Sequence, residues 1–180
     1  MSIETAQTAR KRAQSSKQAD KVRDPLSTYL QDHLAGSGYA IEILESLRDT
    51  AHGAEFRAFV TSLLEDMMED REVLESMANR VGEMHLNLED AIVLGTTANP
   101  QKFRSNPAGL GTFEALETLG LWILGKFALW RVLPLIATFD SRLFGQDFDR
   151  LAARALEQHK NVEKHRLLLA QTAFASSAVG

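Results

Sequence analysis

Five ionisable residues make up the expected core polar cluster: His33, Asp70, His159 and Arg166 stand where a repeat of three and four places apolar neighbours, and Glu117 joins them from the edge of its stripe. A carboxylate and imidazoles turned toward a helical core can hold a cation or pass a proton. A guanidinium there can only neutralise, since it has no acceptor and keeps its charge. Each residue also has a structural reading. A lone histidine on an apolar stripe is more often a hydrogen-bonded core residue than a ligand, and an inward Asp or Arg either pairs with an opposite charge or extends its head to the bundle end. Glu42, Glu117 and Glu163 sit at the edges of their stripes, and Lys126, on an apolar segment, is expected to pair with an acid or reach solvent. Other chemistries leave no trace. There is no Gly-x-Ser-x-Gly elbow and no His-Glu-x-x-His zinc motif, and the glycines at 109–111 and 120–125 lack the spacing of a phosphate-cradling loop.

The elements that must position these residues are helical. Asp24-Pro25 predicts a helix start, a capping carboxylate followed by a proline whose missing N–H costs nothing there. The first helix is expected over 25–50, with Leu26, Leu30, His33, Ser37, Ala40, Leu44 and Leu47 on one stripe and His52-Gly53 closing it. The second is expected over 54–81, with Phe56, Phe59, Leu63, Met67, Asp70, Leu74, Met77 and Val81 on its stripe. A short helix over 87–94 and a turn-rich connection over 95–111 follow. The third helix is expected after Thr112, ending or kinking at Pro134. Asp147 is expected to cap the fourth, with Leu151, Ala155, His159, Val162, Arg166 and Leu169 on its stripe.

Composition agrees with an all-α, antiparallel four-helix bundle in a single domain. The chain has 180 residues, 44% hydrophobic and 24% charged, with only four prolines and eleven glycines, and its long segments are filled by good helix formers. Residues 1–24 hold six Lys/Arg against three acids, net +3, which leaves −7 for the rest of a chain whose formal charge is −4. That segment is expected to be a flexible basic tail, the single hint of nucleic acid, which is otherwise an unexpected partner. Residues 25–174 are expected to form the bundle and 175–180 to be disordered. The absence of cysteine rules out disulfides and thiolate sites within the chain, and a polar N-terminal stretch favours the cytoplasm. The apolar run 119–139 is interrupted by Lys126, Arg131 and Pro134, so a core helix rather than a membrane span is expected.

Two long helices, a long crossover and two more long helices are the layout of the ferritin-like superfamily. The segments Tyr29-Leu-Gln-Asp-His-Leu-Ala-Gly-Ser-Gly-Tyr-Ala-Ile-Glu42 and Leu116-Glu-Thr-Leu-Gly-Leu-Trp-Ile-Leu-Gly-Lys-Phe-Ala-Leu-Trp130 resemble those of uncharacterised bacterial ferritin-like proteins. The resemblance spans about residues 24–174. It implies a Glu on each of two helices and a Glu-x-x-His pair on each of the other two, converging on two metals. Glu42 and Glu117 stand for the lone glutamates. Helix two offers Glu69-Asp70-Arg71-Glu72, with no histidine three residues after a glutamate, and helix four offers Glu163-Lys164-His165-Arg166, with Arg166 where the motif has histidine. The substitution suggests a salt bridge between Arg166 and Asp70 in place of the metal centre.

The function expected from this is a bundle with a degenerate di-iron site, a structural or interaction protein rather than an enzyme. It is expected to need no cofactor and to form a homo-dimer through a bundle face. The alternative is a divergent metalloprotein that gathers Glu42, Asp70, Glu117, His159 and Glu163 around iron or manganese for oxidoreductase or storage chemistry.

Overall fold

The computed structural model describes residues 24–82 and 109–175. Among the described residues there are four α-helices and no strand: α1 (Pro25–Thr50), α2 (Ala54–Val81), α3 (Leu110–Ala137) and α4 (Phe148–Ala175), with a single 3-10 turn at Ser141–Leu143 before α4. The expected basic tail, the short helix over 87–94 and most of the connection after it lie outside the described residues.

The helix starts follow from their capping chemistry. Asp24 Oδ1 accepts the Leu26 N–H at 3.0 Å with Pro25 in the first turn, and Asp147 Oδ1 accepts the Arg150 N–H at 3.0 Å at the head of α4. Gly53, before α2, has φ +90°, a backbone state that a side chain would strain. Asp24 has a second role. Its Oδ2 accepts from Arg142 Nη1 at 2.6 Å, and the same nitrogen reaches the Val81 carbonyl at 2.7 Å while Asp140 binds the other side of the guanidinium. One arginine thereby ties the start of α1, the end of α2 and the 3-10 turn, and it holds the Asp24 and Asp140 carboxyls below their ordinary range.

Of the two expected outcomes at Pro134 the helix end is excluded, since α3 runs through the proline to Ala137. The proline removes one backbone donor, yet Leu133 is fully buried and Ile136 and Ala137 pack against the core. Burial of that order, roughly 2 kcal/mol for a leucine, holds the last turn in spite of the lost hydrogen bond.

The helices pack as a four-helix bundle: α1 on α2, α3 on α4, with α1–α3 and α2–α4 contacts closing the ring. Its core is continuous, with Leu30, Leu34, Ile43, Leu44, Met77, Leu116, Leu119, Ile123 and Trp130 among the fully buried side chains. Among the described residues α3 alone is long and apolar enough to cross a membrane, with mean hydropathy 1.6 over its most apolar window, of which 33% is buried. Its inner face is core and its outer face is open.

Candidate functional site

The polar centre of the bundle is assembled from three helices around Asp70, whose side chain is 2% exposed. Lys126 projects from the middle of α3 and binds Asp70 Oδ2; Arg154, on α4, binds Asp70 Oδ1. Each carboxylate oxygen therefore has a cation of its own. The remaining donors of the Lys126 ammonium are directed to Gln158 Oε1 at 2.6 Å and to Met67 Sδ at 2.9 Å, so all three are used. Gln158, one turn after Arg154, turns its amide nitrogen to Asp66 Oδ2 at 3.3 Å and Asp70 Oδ2 at 3.4 Å. Arg154 also reaches Glu69 Oε2 at 2.7 Å, toward solvent.

Two cations share one buried carboxylate, and they differ in proton affinity. Burial pushes the Lys126 ammonium below the ordinary lysine range; Asp70 pulls the other way and the nearby Arg154 charge adds to the depression. Burial acts on Arg154 too, but Glu69 and Asp70 outweigh it and the guanidinium is held more tightly charged.

Beside Asp70 and Lys126 lies a cavity of about 30 Å³ lined by His33, Gly36, Ser37, Trp122 and Trp130. That is room for one or two water-sized molecules. The Trp130 Nε1–H, also buried, meets no acceptor among the described residues. Arg71 closes the α1 side, donating to the Leu34 carbonyl at 2.8 Å and to Ser37 Oγ at 2.7 Å.

The residues singled out from the sequence are spread more widely. His33 lines the cavity, with Tyr29 edge-on to its ring at 4.8 Å. His159 is half-buried and its ring lies against Gly120, 3.9 Å from where a Cβ would stand. Glu42 and Glu117 are exposed. Arg166 does not meet Asp70. It binds Glu163 on its own helix, at 2.7 and 2.6 Å, and lies over the Phe113 ring at 4.9 Å. The reason is distance along the helix, since Arg166 is about 18 Å further along α4 than Arg154 at 1.5 Å per residue.

Arg154 and Gln158 are the members that sequence reasoning missed. A stripe advancing by three or four from Ala155 admits either Gln158 or His159, and packing turns Gln158 inward. The alternative ligand set of Glu42, Asp70, Glu117, His159 and Glu163 is not brought together, and no group of three or more His, Asp or Glu among the described residues is placed to hold a metal ion.

No protein-family model, curated protein or solved structure matches this chain. Function must be sought in the side chains themselves. A di-metal centre would need carboxylate oxygens free to ligate. Those of Asp70 already receive Lys126 and Arg154, and the glutamates expected to help lie elsewhere, so the residues do not fit such a centre.

His33 makes the centre sensitive to acid. Burial lowers the affinity of its imidazole for a proton below the ordinary 6.5, with Asp32 opposing weakly. The folded chain then binds fewer protons at His33 than the unfolded chain, so this contribution to stability is lost as pH falls below about 6.5. Urea midpoints of the natural protein should drop between about pH 7 and about pH 5, and those of His33→Gln should drop less. Part of the slope will remain in the variant, because burial also lowers His165.

Proposed function

We propose that the chain is a metal-free bundle of ferritin-like layout that works as a structural or interaction protein, with Asp70, Lys126 and Arg154 in place of a di-iron centre. The observation that carries this reading is the buried Asp70, each of whose oxygens binds a separate protein cation. A carboxylate in a bundle core needs positive charge nearby, and here two side chains supply what a bound metal would otherwise supply. An antiparallel arrangement is supported by the short links at 51–53 and 138–147, which require the chain to reverse within each helix pair.

Metal analysis of protein expressed in iron-supplemented medium tests the reading. Iron and manganese are expected far below one per chain, and unchanged in Asp70→Asn. About two irons per chain, lost in that variant, would overturn the reading and restore the metalloprotein alternative.

A further inference from the structure

The residues of α3 that face away from the core fall at 117, 121, 124, 128, 131 and 135, in alternating steps of four and three. They are Glu117, Leu121, Leu124, Ala128, Arg131 and Leu135, all exposed, with Leu121 at 68% and Leu135 at 66%. Such spacing marks a coiled-coil seam, since it keeps one narrow stripe turned toward a neighbouring helix. A solvated helix face carries Lys, Glu and Gln at these positions, whereas here three are leucine and one alanine. Phe139, 80% exposed, continues the stripe beyond the end of the helix. Alongside it, nothing stands within 4 Å of the position a Gly125 Cβ would take, so another backbone can approach closely.

The two charged members identify the occupant. Glu117 lies toward the start of the stripe and Arg131 toward its end, and among the described residues Arg131 makes no ion pair. We propose that this face pairs with α3 of a second copy, antiparallel, about a two-fold axis near Leu124. In that register Arg131 faces the partner's Glu117 and, by symmetry, Glu117 faces the partner's Arg131. Leu121 then lies level with the partner's position 127, within one residue of the partner's Ala128, so that a large residue of the stripe meets a small one. Parallel pairing would set like charges against each other, so the sequence of the stripe selects the antiparallel, self-complementary arrangement. A helix lying on a lipid surface carries an excess of Lys and Arg beside its apolar face; this stripe carries one charge of each sign.

The proposal rests on the reading of the bundle as an interaction protein, and its failure is distinguishable, because loss of the dimer would leave the iron content unaltered. Sedimentation equilibrium of the full-length chain at micromolar concentrations tests it. A dimer is expected, Leu121→Glu is expected to be monomeric with unchanged helical circular dichroism, and Glu117→Arg and Arg131→Glu should each weaken association about ten-fold, because every reversal alters two symmetry-related pairs. The double variant Glu117→Arg/Arg131→Glu should return to the natural affinity. If Leu121→Glu does not fold, the charge-reversal cycle decides alone, since both residues are exposed. A monomer at every concentration, or a dimer indifferent to the charge reversals, overturns the proposal. Binding of a monomer to phosphatidylglycerol vesicles would also overturn it and assign the stripe to a lipid surface.

Discussion

Asp70→Ala is expected to cost the bundle about 3–5 kcal/mol, because it leaves the Lys126 ammonium buried without its carboxylate. For a domain of this size that corresponds to a fall in Tm of roughly 10–15 °C. The cost arises from what remains, not from the pair as such. Lys126 is 11% exposed at its side chain and keeps only Gln158 Oε1 and Met67 Sδ as partners, neither of which carries charge. Arg154 fares better, since it retains Glu69 and is 26% exposed. The double variant Asp70→Leu/Lys126→Met removes both buried charges and should recover most of the loss, as replacement of buried ion pairs by apolar groups of similar volume often does. Urea denaturation of the natural protein, Asp70→Leu, Lys126→Met and the double variant gives the coupling directly. A cost below about 1 kcal/mol for Asp70→Ala would mean that water solvates the cluster, and would remove the basis for calling it a replacement for a metal.

Two glycines two residues apart, and so on nearly opposite faces of α1, should answer the same substitution with opposite signs. Alanine in place of glycine within a helix gains about 1 kcal/mol of backbone propensity where there is room. At Gly38 there is room, the nearest atom to an added Cβ being Arg71 Nη1 at 3.5 Å, an ordinary contact. Gly38→Ala should therefore stabilise by about 0.5–1 kcal/mol. At Gly36, which is buried, an added Cβ would stand 2.2 Å from Trp122 Cζ3 and 2.7 Å from Cε3. The indole must move, giving up its stacking on Tyr39 at 6.5 Å between centroids and disturbing the wall of the cavity beside Asp70. Overpacking of this kind costs about 1–3 kcal/mol and outweighs the propensity gain, for a net loss of about 1–2 kcal/mol. Thermal unfolding of the two variants checks both signs, and a Gly36→Ala protein as stable as the natural one would show that Trp122 is not held where it stands.

The helices were legible before any coordinates because their signals are local. Asp24-Pro25, Gly53 and Asp147 act within a turn of themselves, and the three-and-four spacing of Leu26, Leu30, Leu44, Leu63 and Leu74 reports burial directly. Pro134 left the end of α3 open for the complementary reason. Its local cost is real, but Leu133 belongs to, and Ile136 packs against, a core to which all four helices contribute.

The centre of the site was half legible. Asp70 stood out as a charge on an apolar stripe and Lys126 as one interrupting an apolar run, and that much is a property of one helix at a time. Their meeting is not, since the bonds from Asp70 run to residues 56, 84 and 88 positions away. The choice between Gln158 and His159 turns on about 100° of rotation about α4, which periodicity alone does not resolve.

Arg166 shows the same limit along the helix axis. An inward-leaning arginine on α4 suited the motif it resembled, yet axial position, which depends on how α2 and α4 slide past each other, gives Asp70 to Arg154 instead. By itself the sequence determined an all-helical chain with a carboxylate, Asp70, on a core stripe. Tertiary structure decided which cations that carboxylate meets, because pairing depends on the register and rotation of whole helices, and these are settled by packing between segments distant in the chain.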